Sequence, residues 1–155
     1  MTTLAASCVL GLVNTSPAAA DTDDPAAVTV AASSVGATVT VTINNASGRE
    51  LLCGFYGKTP GTNPLVTGVA FAEGMGDVFA GGEDGSPDFF TVTPGASPRQ
   101  FRNVPPGAYD VEWGCHAKSG PGTSWGTPEA MSTGATTGPT RVEVADTNPI
   151  FGSLS

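Results

Sequence analysis

Apolar and polar residues alternate along two long stretches of the chain. In residues 37–45 every second position is aliphatic, and these positions are Val39, Val41 and Ile43. In residues 108–117 one face carries Tyr109, Val111, Trp113 and Cys115, and the opposite face carries Asp110, Glu112 and His116. A period of two is typical of an antiparallel strand with one face in the core and the other toward water. Both stretches are therefore predicted to be strands.

Shorter apolar runs separated by turn residues predict further strands. They cover residues 28–30, 51–56, 65–71, 77–80, 88–93, 99–104 and 141–144. The 21 glycines and 13 prolines among 155 residues exceed the average share of about 12%, and no stretch has the period of a helix. Many short strands between turn signals are typical of a β-sandwich. We predict an all-β fold, an antiparallel β-sandwich of about seven to nine short strands in a single domain, with a closed barrel as the alternative.

Residues 1–20 are typical of a secretory signal peptide. Residues 4–13 are mostly apolar, which is too short for a bilayer span of about 20 residues but matches the apolar region of a leader. Ala18 and Ala20 supply the small residues of a cleavage site. Acylation of Cys8, as in a lipoprotein, and a hydrophobic first strand or helix are the alternatives. We predict a secreted or cell-envelope-associated protein with no transmembrane segment in the mature chain.

Cleavage after Ala20 defines the rest of the organisation. Residues 21–27 would be a mobile acidic N-terminus, residues 28–147 the β-sandwich domain and residues 148–155 a C-terminal tail. The 6 lysines and arginines against 14 aspartates and glutamates give a net charge of -8. Such a chain repels phosphate, so nucleic acid is excluded as a partner.

The cleavage would remove Cys8 and leave Cys53 and Cys115 as the remaining thiols. In an oxidising compartment such a pair normally forms a disulfide. A metal site or a redox pair is the alternative, but neither cysteine belongs to a C-x-x-C motif. The single histidine, His116, follows Cys115 directly and would point to the opposite face of a strand. We therefore predict the disulfide, and neither a metal nor a cofactor.

Residues 36–45, 51–56 and 103–113 carry a resemblance to a known family. Together with the Pro106-Gly107 turn and the Tyr109-x-Val111 pattern, they resemble the immunoglobulin-like modules of small secreted actinobacterial envelope proteins, over about half of the mature chain. The resemblance implies an immunoglobulin-like sandwich in which residues 51–56 and 108–117 are neighbouring strands of one sheet. It thereby implies a cross-strand bridge between the two cysteines, and it implies no activity, because such modules serve unrelated roles.

Residues 118–139 form a long stretch without any period, and it contains Trp125. Structureless connections beyond about 12 to 15 residues are uncommon in compact domains unless they are functional or disordered. No alternating pattern assigns Trp125 to the core, and an exposed aromatic side chain is a common anchor for binding. We predict that Trp125, with Ser124 beside it, belongs to an interaction surface. The alternative is that Trp125 folds back over the sheet edge.

Candidate catalytic groups are few. Ser124 satisfies a Gly-x-Ser-x-Gly pattern, which in hydrolases sets the nucleophile on a strand-to-helix turn, but no helix is predicted after it and His116 precedes it. An acidic, glycine-rich loop could bind calcium or be a solvated loop; its carboxylates are Glu73, Asp77, Glu83, Asp84 and Asp88. The sequence predicts a non-catalytic module that binds a protein, glycan or lipid partner. A small secreted hydrolase using Ser124 is the alternative.

Overall fold

The computed structural model describes residues 24–75, 88–120, 122–131 and 137–146. The predicted signal peptide, the predicted strand at 77–80 and the predicted tail lie outside these residues. Within them the chain forms nine strands, one 3₁₀ helix and one short α-helix. The elements are the 3₁₀ helix Pro25–Ala27, β1 (Val28–Val35), β2 (Thr38–Asn45), β3 (Leu51–Lys58), α1 (Pro64–Thr67), β4 (Phe71–Glu73), β5 (Phe90–Val92), β6 (Gly95–Phe101), β7 (Gly107–Ala117), β8 (Ser124–Gly126) and β9 (Thr140–Val144).

The strands form two antiparallel sheets. A three-stranded sheet has the order β1–β2–β6, and a six-stranded sheet is centred on β3 and β7, which pair along the whole of β3. On its other side β3 pairs with β5 and then β4, and β7 pairs with β9 and then β8. The predicted all-β sandwich is confirmed.

The core lies between the inner faces of the two sheets. On β2 the side chains of Val39, Val41 and Ile43 are fully buried, as the alternation predicts. The six-stranded sheet contributes fully buried side chains from its two central strands: Leu51, Cys53, Phe55, Val111, Trp113 and Cys115. Burying an aliphatic or aromatic side chain of this size stabilises the fold by about 1.5–3 kcal/mol.

The strand predicted at 65–71 is wrong except at Phe71, because α1 forms over its first half and β4 begins only at Phe71. The Asn63 side chain accepts a hydrogen bond from the backbone N–H of Leu65 at 3.0 Å, Pro64 occupies the first turn, and Gly68 ends the helix with φ 78°. An asparagine cap followed by proline is a strong helix start, and it outweighs the short apolar run. The helix leaves Leu65 and Val66 exposed.

Two predicted boundaries also differ from the structure. Strand β6 begins at Gly95 and ends at Phe101, whereas the prediction was 99–104. Within the described residues it pairs only with β2, and such an edge position tolerates Pro98, which lacks an amide hydrogen. Ahead of β1, Asp24 caps the 3₁₀ helix and Ala27 is buried, so the packed part of the chain begins before residue 28.

Candidate binding cleft on the outer face of the six-stranded sheet

The outer face of the six-stranded sheet carries charged side chains that are buried. The alternation along β3 and β7 places Tyr56, Lys58 and Glu112 on this face, with Tyr56 directly opposite Glu112. Lys58 is only 6% exposed and Glu112 only 5%. Since the polar face of an antiparallel sheet normally meets water, other segments of the chain must cover it here.

Three glycines make room for that cover. Gly54, Gly114 and Gly126 lie side by side across β3, β7 and β8. A Cβ atom at Gly114 would lie 2.5 Å from Cγ of Met131, and one at Gly54 would lie 2.8 Å from Cγ of Met75. A glycine within a strand often marks such a close approach. The row of glycines therefore forms a furrow in which the two methionines sit.

Residues 127–131 are the covering segment, and hydrogen bonds of Thr127 fix its start to β7. The Thr127 N–H donates to the Trp113 carbonyl at 2.9 Å, and the Trp113 N–H donates to the Thr127 hydroxyl at 3.2 Å. The Met131 N–H donates to the Thr127 carbonyl at 2.9 Å. This anchoring places Glu129 over Lys58, with which it forms an ion pair.

Lys58 connects the parts of the site. Its ammonium donates to Oε2 of Glu129 and, at 3.2 Å, to the carbonyl of Thr62. It also lies 3.9 Å from Oε1 of Glu112. The Tyr56 hydroxyl donates to Oε1 of Glu129 at 3.3 Å. One cation thus links both central strands, the loop after β3 and the covering segment.

Burial raises the pKa of two groups in this cluster. Burial, followed by the charges of Glu129 and Glu112, raises the pKa of Tyr56, so the phenol stays protonated and acts as a hydrogen-bond donor. Burial is also the main reason that the pKa of Glu112 is raised, although a hydrogen bond from Thr127 and the charge of Lys58 oppose it. Among the described residues Oε2 of Glu112 has no hydrogen-bond partner.

A cleft of about 820 Å³ opens above this cluster. Its lining includes the polar side chains of Tyr56, Lys58 and Glu129, and the apolar side chains of Pro64, Leu65, Met75 and Phe89. The volume lies within the range of about 300–1,000 Å³ that is usual for small-molecule sites, which combine apolar walls with a few placed polar groups. The geometry therefore suits the binding of a small ligand or of one unit of a larger one.

Trp125, the predicted surface anchor, lies in the core instead. It sits on β8 opposite Cys115 and is 1% exposed. Its indole Nε1 donates to the carbonyl of Asp24 at 3.0 Å, which ties the N-terminal 3₁₀ helix to the sheet edge. A side chain buried in this way offers no contact area to a partner, so the predicted anchor is wrong and the alternative, in which Trp125 folds back onto the sheet, fits the structure.

Ser124 lies directly opposite His116 in the pairing of β8 with β7. It is therefore part of an antiparallel edge strand and not of a strand-to-helix turn, which a hydrolase nucleophile of the Gly-x-Ser-x-Gly type needs. Nδ1 of His116 lies 3.3 Å from the carbonyl of Ala117, and the Phe89 ring packs edge-on against the imidazole at 5.2 Å. In the part of the chain that is described, no carboxylate hydrogen-bonds to this histidine.

The Cys53–Cys115 disulfide is present and confirms the predicted pairing. The two cysteines are directly opposite each other on β3 and β7, with their Cα atoms 4.1 Å apart, and both are fully buried. The bridge is therefore cross-strand, and it locks together the two strands whose outer faces carry Tyr56, Lys58 and Glu112.

The acidic loop lies largely outside the described residues. Of its carboxylates Glu73 and Asp88 are described: Asp88 is exposed, and Glu73 forms an ion pair with Arg99 at 2.9 Å. Across the described ranges no three histidine, cysteine or carboxylate side chains are grouped as a metal ion would require. The same ranges contain no helix with the length and apolarity needed to cross a bilayer.

Comparison of the chain with protein-family models, with curated proteins and with solved structures gives no match. Function is therefore inferred from the cleft and from the sequence. Sequence reasoning missed the cleft residues, although two signals were present: glycines in the interiors of β3 and β7, and a lysine at the end of the apolar strand β3.

Proposed function

We propose that the protein is a secreted or envelope-associated, non-catalytic binding module whose ligand occupies the cleft above Tyr56, Lys58 and Glu129. The observation that carries the proposal is the cleft itself, whose polar groups are held in place by hydrogen bonds between separate segments. Groups that are fixed before binding lose little conformational entropy when a ligand arrives. The arrangement is therefore suited to recognition.

The sequence and the disulfide support export. Residues 1–20 have the pattern of a leader, and the resemblance to secreted envelope modules points to the same compartment. Disulfides persist mainly in oxidising environments, and the Cys53–Cys115 bridge fits that setting.

Retention of the purified protein on the envelope fraction of the producing cell tests the proposal. Leu65 and Val35 are both exposed apolar side chains, at 70% and 84%, but Leu65 lines the cleft and Val35 ends β1 in the other sheet. We expect Leu65→Glu to lower retention and the matched control Val35→Glu to leave it unchanged. Equal retention of the two variants and the unaltered protein, or no retention at all, would contradict the proposal.

A small secreted hydrolase is the second candidate, favoured by the cross-strand pairing of Ser124 with His116. A panel of ester substrates tests it. Hydrolysis by the unaltered protein that is lost in Ser124→Ala would replace the binding proposal. Under the binding proposal no substrate of the panel is turned over.

A further inference from the structure

The charges at the floor of the cleft are already compensated. Lys58 is the one cation among the described lining residues, and it is paired with Glu129 and lies 3.9 Å from Glu112. A phosphate or polyanion would therefore find no unpaired positive group, and the net charge of -8 opposes its approach. A cationic ligand would have to displace Lys58 from Glu129. The site favours an uncharged ligand.

Among the described residues, the strand that forms the floor of the cleft has no free edge. This floor is the face of β3, and β3 is paired on one side with β7 and on the other with β4 and β5. An extended peptide that adds to a sheet needs unpaired backbone groups. Recognition here must rely on side chains, which favours a ligand with closely spaced polar groups of its own over a peptide strand.

Donors and acceptors lie next to each other in this floor. The Lys58 ammonium donates to the Glu129 carboxylate, and the Tyr56 hydroxyl donates to the same carboxylate. Two neighbouring hydroxyl groups of a ligand would match this donor and this acceptor, because one hydroxyl accepts from the ammonium while the other donates to the carboxylate. On the wall of the cleft Phe89 and Leu65 offer apolar surface.

We infer that the ligand is a neutral saccharide, with adjacent hydroxyls against Lys58 and Glu129 and a C–H face of the sugar ring against Phe89. The inference rests on the proposed function and specifies its ligand class. An acyl chain fits less well. It would cover the charged pair without supplying hydrogen bonds, and burying polar groups in that way is unfavourable.

Calorimetry and amide chemical shifts of the full disulfide-bonded protein test the inference. The probes are neutral oligosaccharides of glucose, mannose, galactose and arabinose, with polygalacturonate, palmitate and an apolar octapeptide as competing classes. We expect at least one neutral oligosaccharide to bind and to shift the amides of Thr62 and Ala130, which line the cleft.

Matched variants locate the binding. Glu129→Gln and Phe89→Ala should each weaken the affinity by about tenfold. Glu143→Gln, which changes an exposed carboxylate on β9 of the same sheet, should leave the affinity unchanged. Using both variants keeps the test valid if one of them fails to fold, which the amide spectrum shows directly.

Three results would overturn the inference, and they separate it from the proposed function. Shifts at Thr62 and Ala130 with palmitate or the octapeptide, but not with any sugar, would refute the saccharide and leave the cleft as a binding site. Sugar binding that Glu129→Gln and Phe89→Ala leave intact would place the saccharide elsewhere. If no probe shifts these amides and Leu65→Glu leaves envelope retention intact, the inference and the proposed function both fail.

Discussion

The two faces of the six-stranded sheet are both buried, but by different means. On the inner face Phe55 and Trp113 pack in an apolar core, and a disulfide joins the strands. On the outer face Tyr56, Lys58 and Glu112 are covered by a segment that brings its own carboxylate. Removing charges from water is costly even when they are paired. We therefore attribute stability mainly to the inner face, and the outer face is where the proposed binding would take place.

The largest expected loss of stability comes from Trp125, which the structure assigns to the core. Trp125→Ala should lower the free energy of unfolding by about 3–5 kcal/mol, as is usual when a buried aromatic side chain is truncated. Urea denaturation measures it, with Trp125→Phe as a control that keeps most of the volume and loses the hydrogen bond to Asp24. A loss below about 1 kcal/mol in Trp125→Ala would mean that Trp125 is not a core residue.

The disulfide is the next largest contribution to the inner face. Its cysteines are 62 positions apart, and the chain-entropy estimate for a loop of that length is about 4 kcal/mol, which strain and residual unfolded structure reduce. The double variant Cys53→Ala/Cys115→Ala should therefore lose about 2–4 kcal/mol of unfolding free energy and unfold at a lower urea concentration. Alkylation of the native protein without reductant should label neither cysteine, and quantitative labelling of both would refute the bridge.

On the outer face, Lys58→Met should cost less than either change. The variant leaves Glu112 buried without its cation. Removing one partner of a fully buried ion pair costs about 3–5 kcal/mol of unfolding free energy. The cost is smaller here because the other partner of Lys58, the Glu129 side chain, is 40% exposed and water partly replaces the lost pairing. We expect a loss of about 2 kcal/mol in urea denaturation. Arg141→Met, which removes a more exposed cation of the same sheet, serves as the control and should change stability by less than about 0.5 kcal/mol. Equal effects of the two variants would contradict burial of the Lys58 cluster.

The smallest effect concerns the pH dependence from Glu112, whose pKa burial raises. An acid with a raised pKa in the folded state holds its proton more tightly when folded, so its contribution to stability falls as the pH rises from the unfolded-state pKa through the folded-state pKa. Glu112→Gln removes that decline. Urea midpoints measured from about pH 3 to about pH 7 should show that the stability of the variant increases relative to that of the unaltered protein as the pH rises. A decrease in the relative stability of the variant over the same pH range would show that the charged carboxylate stabilises the fold.

The inner face could be predicted from the sequence because its signal is local. Val39, Val41 and Ile43 repeat with the period of a strand, and Trp113 and Cys115 repeat in the same way on β7, so burial of one face follows without any knowledge of the partner. The all-β class and the disulfide depend on such local patterns and on cysteine count. Both were predicted.

The outer face could not be predicted in this way. The alternation assigns Glu112 to the polar side of its strand, and it cannot show that the segment carrying Glu129, 71 positions after Lys58, returns to cover it. The prediction that Trp125 lies on the surface is wrong for a related reason. Strand β8 has only three residues, which are too few to show the alternation of a strand in the sequence. Gly54 and Gly114 were the available clue, since glycines in strand interiors mark a close approach of another segment.

The triple variant Lys58→Met, Glu112→Leu, Glu129→Gln tests most directly whether the inner face provides stability and the outer face provides binding. Replacing buried ion pairs by apolar side chains of similar size is often neutral or stabilising by about 1–4 kcal/mol. Unfolding free energy and retention on the envelope fraction are measured on the same preparation. We expect the triple variant to be at least as stable as the unaltered protein and to lose retention. Unchanged retention, or a stability loss above about 2 kcal/mol, would contradict the assignment of recognition to the outer face.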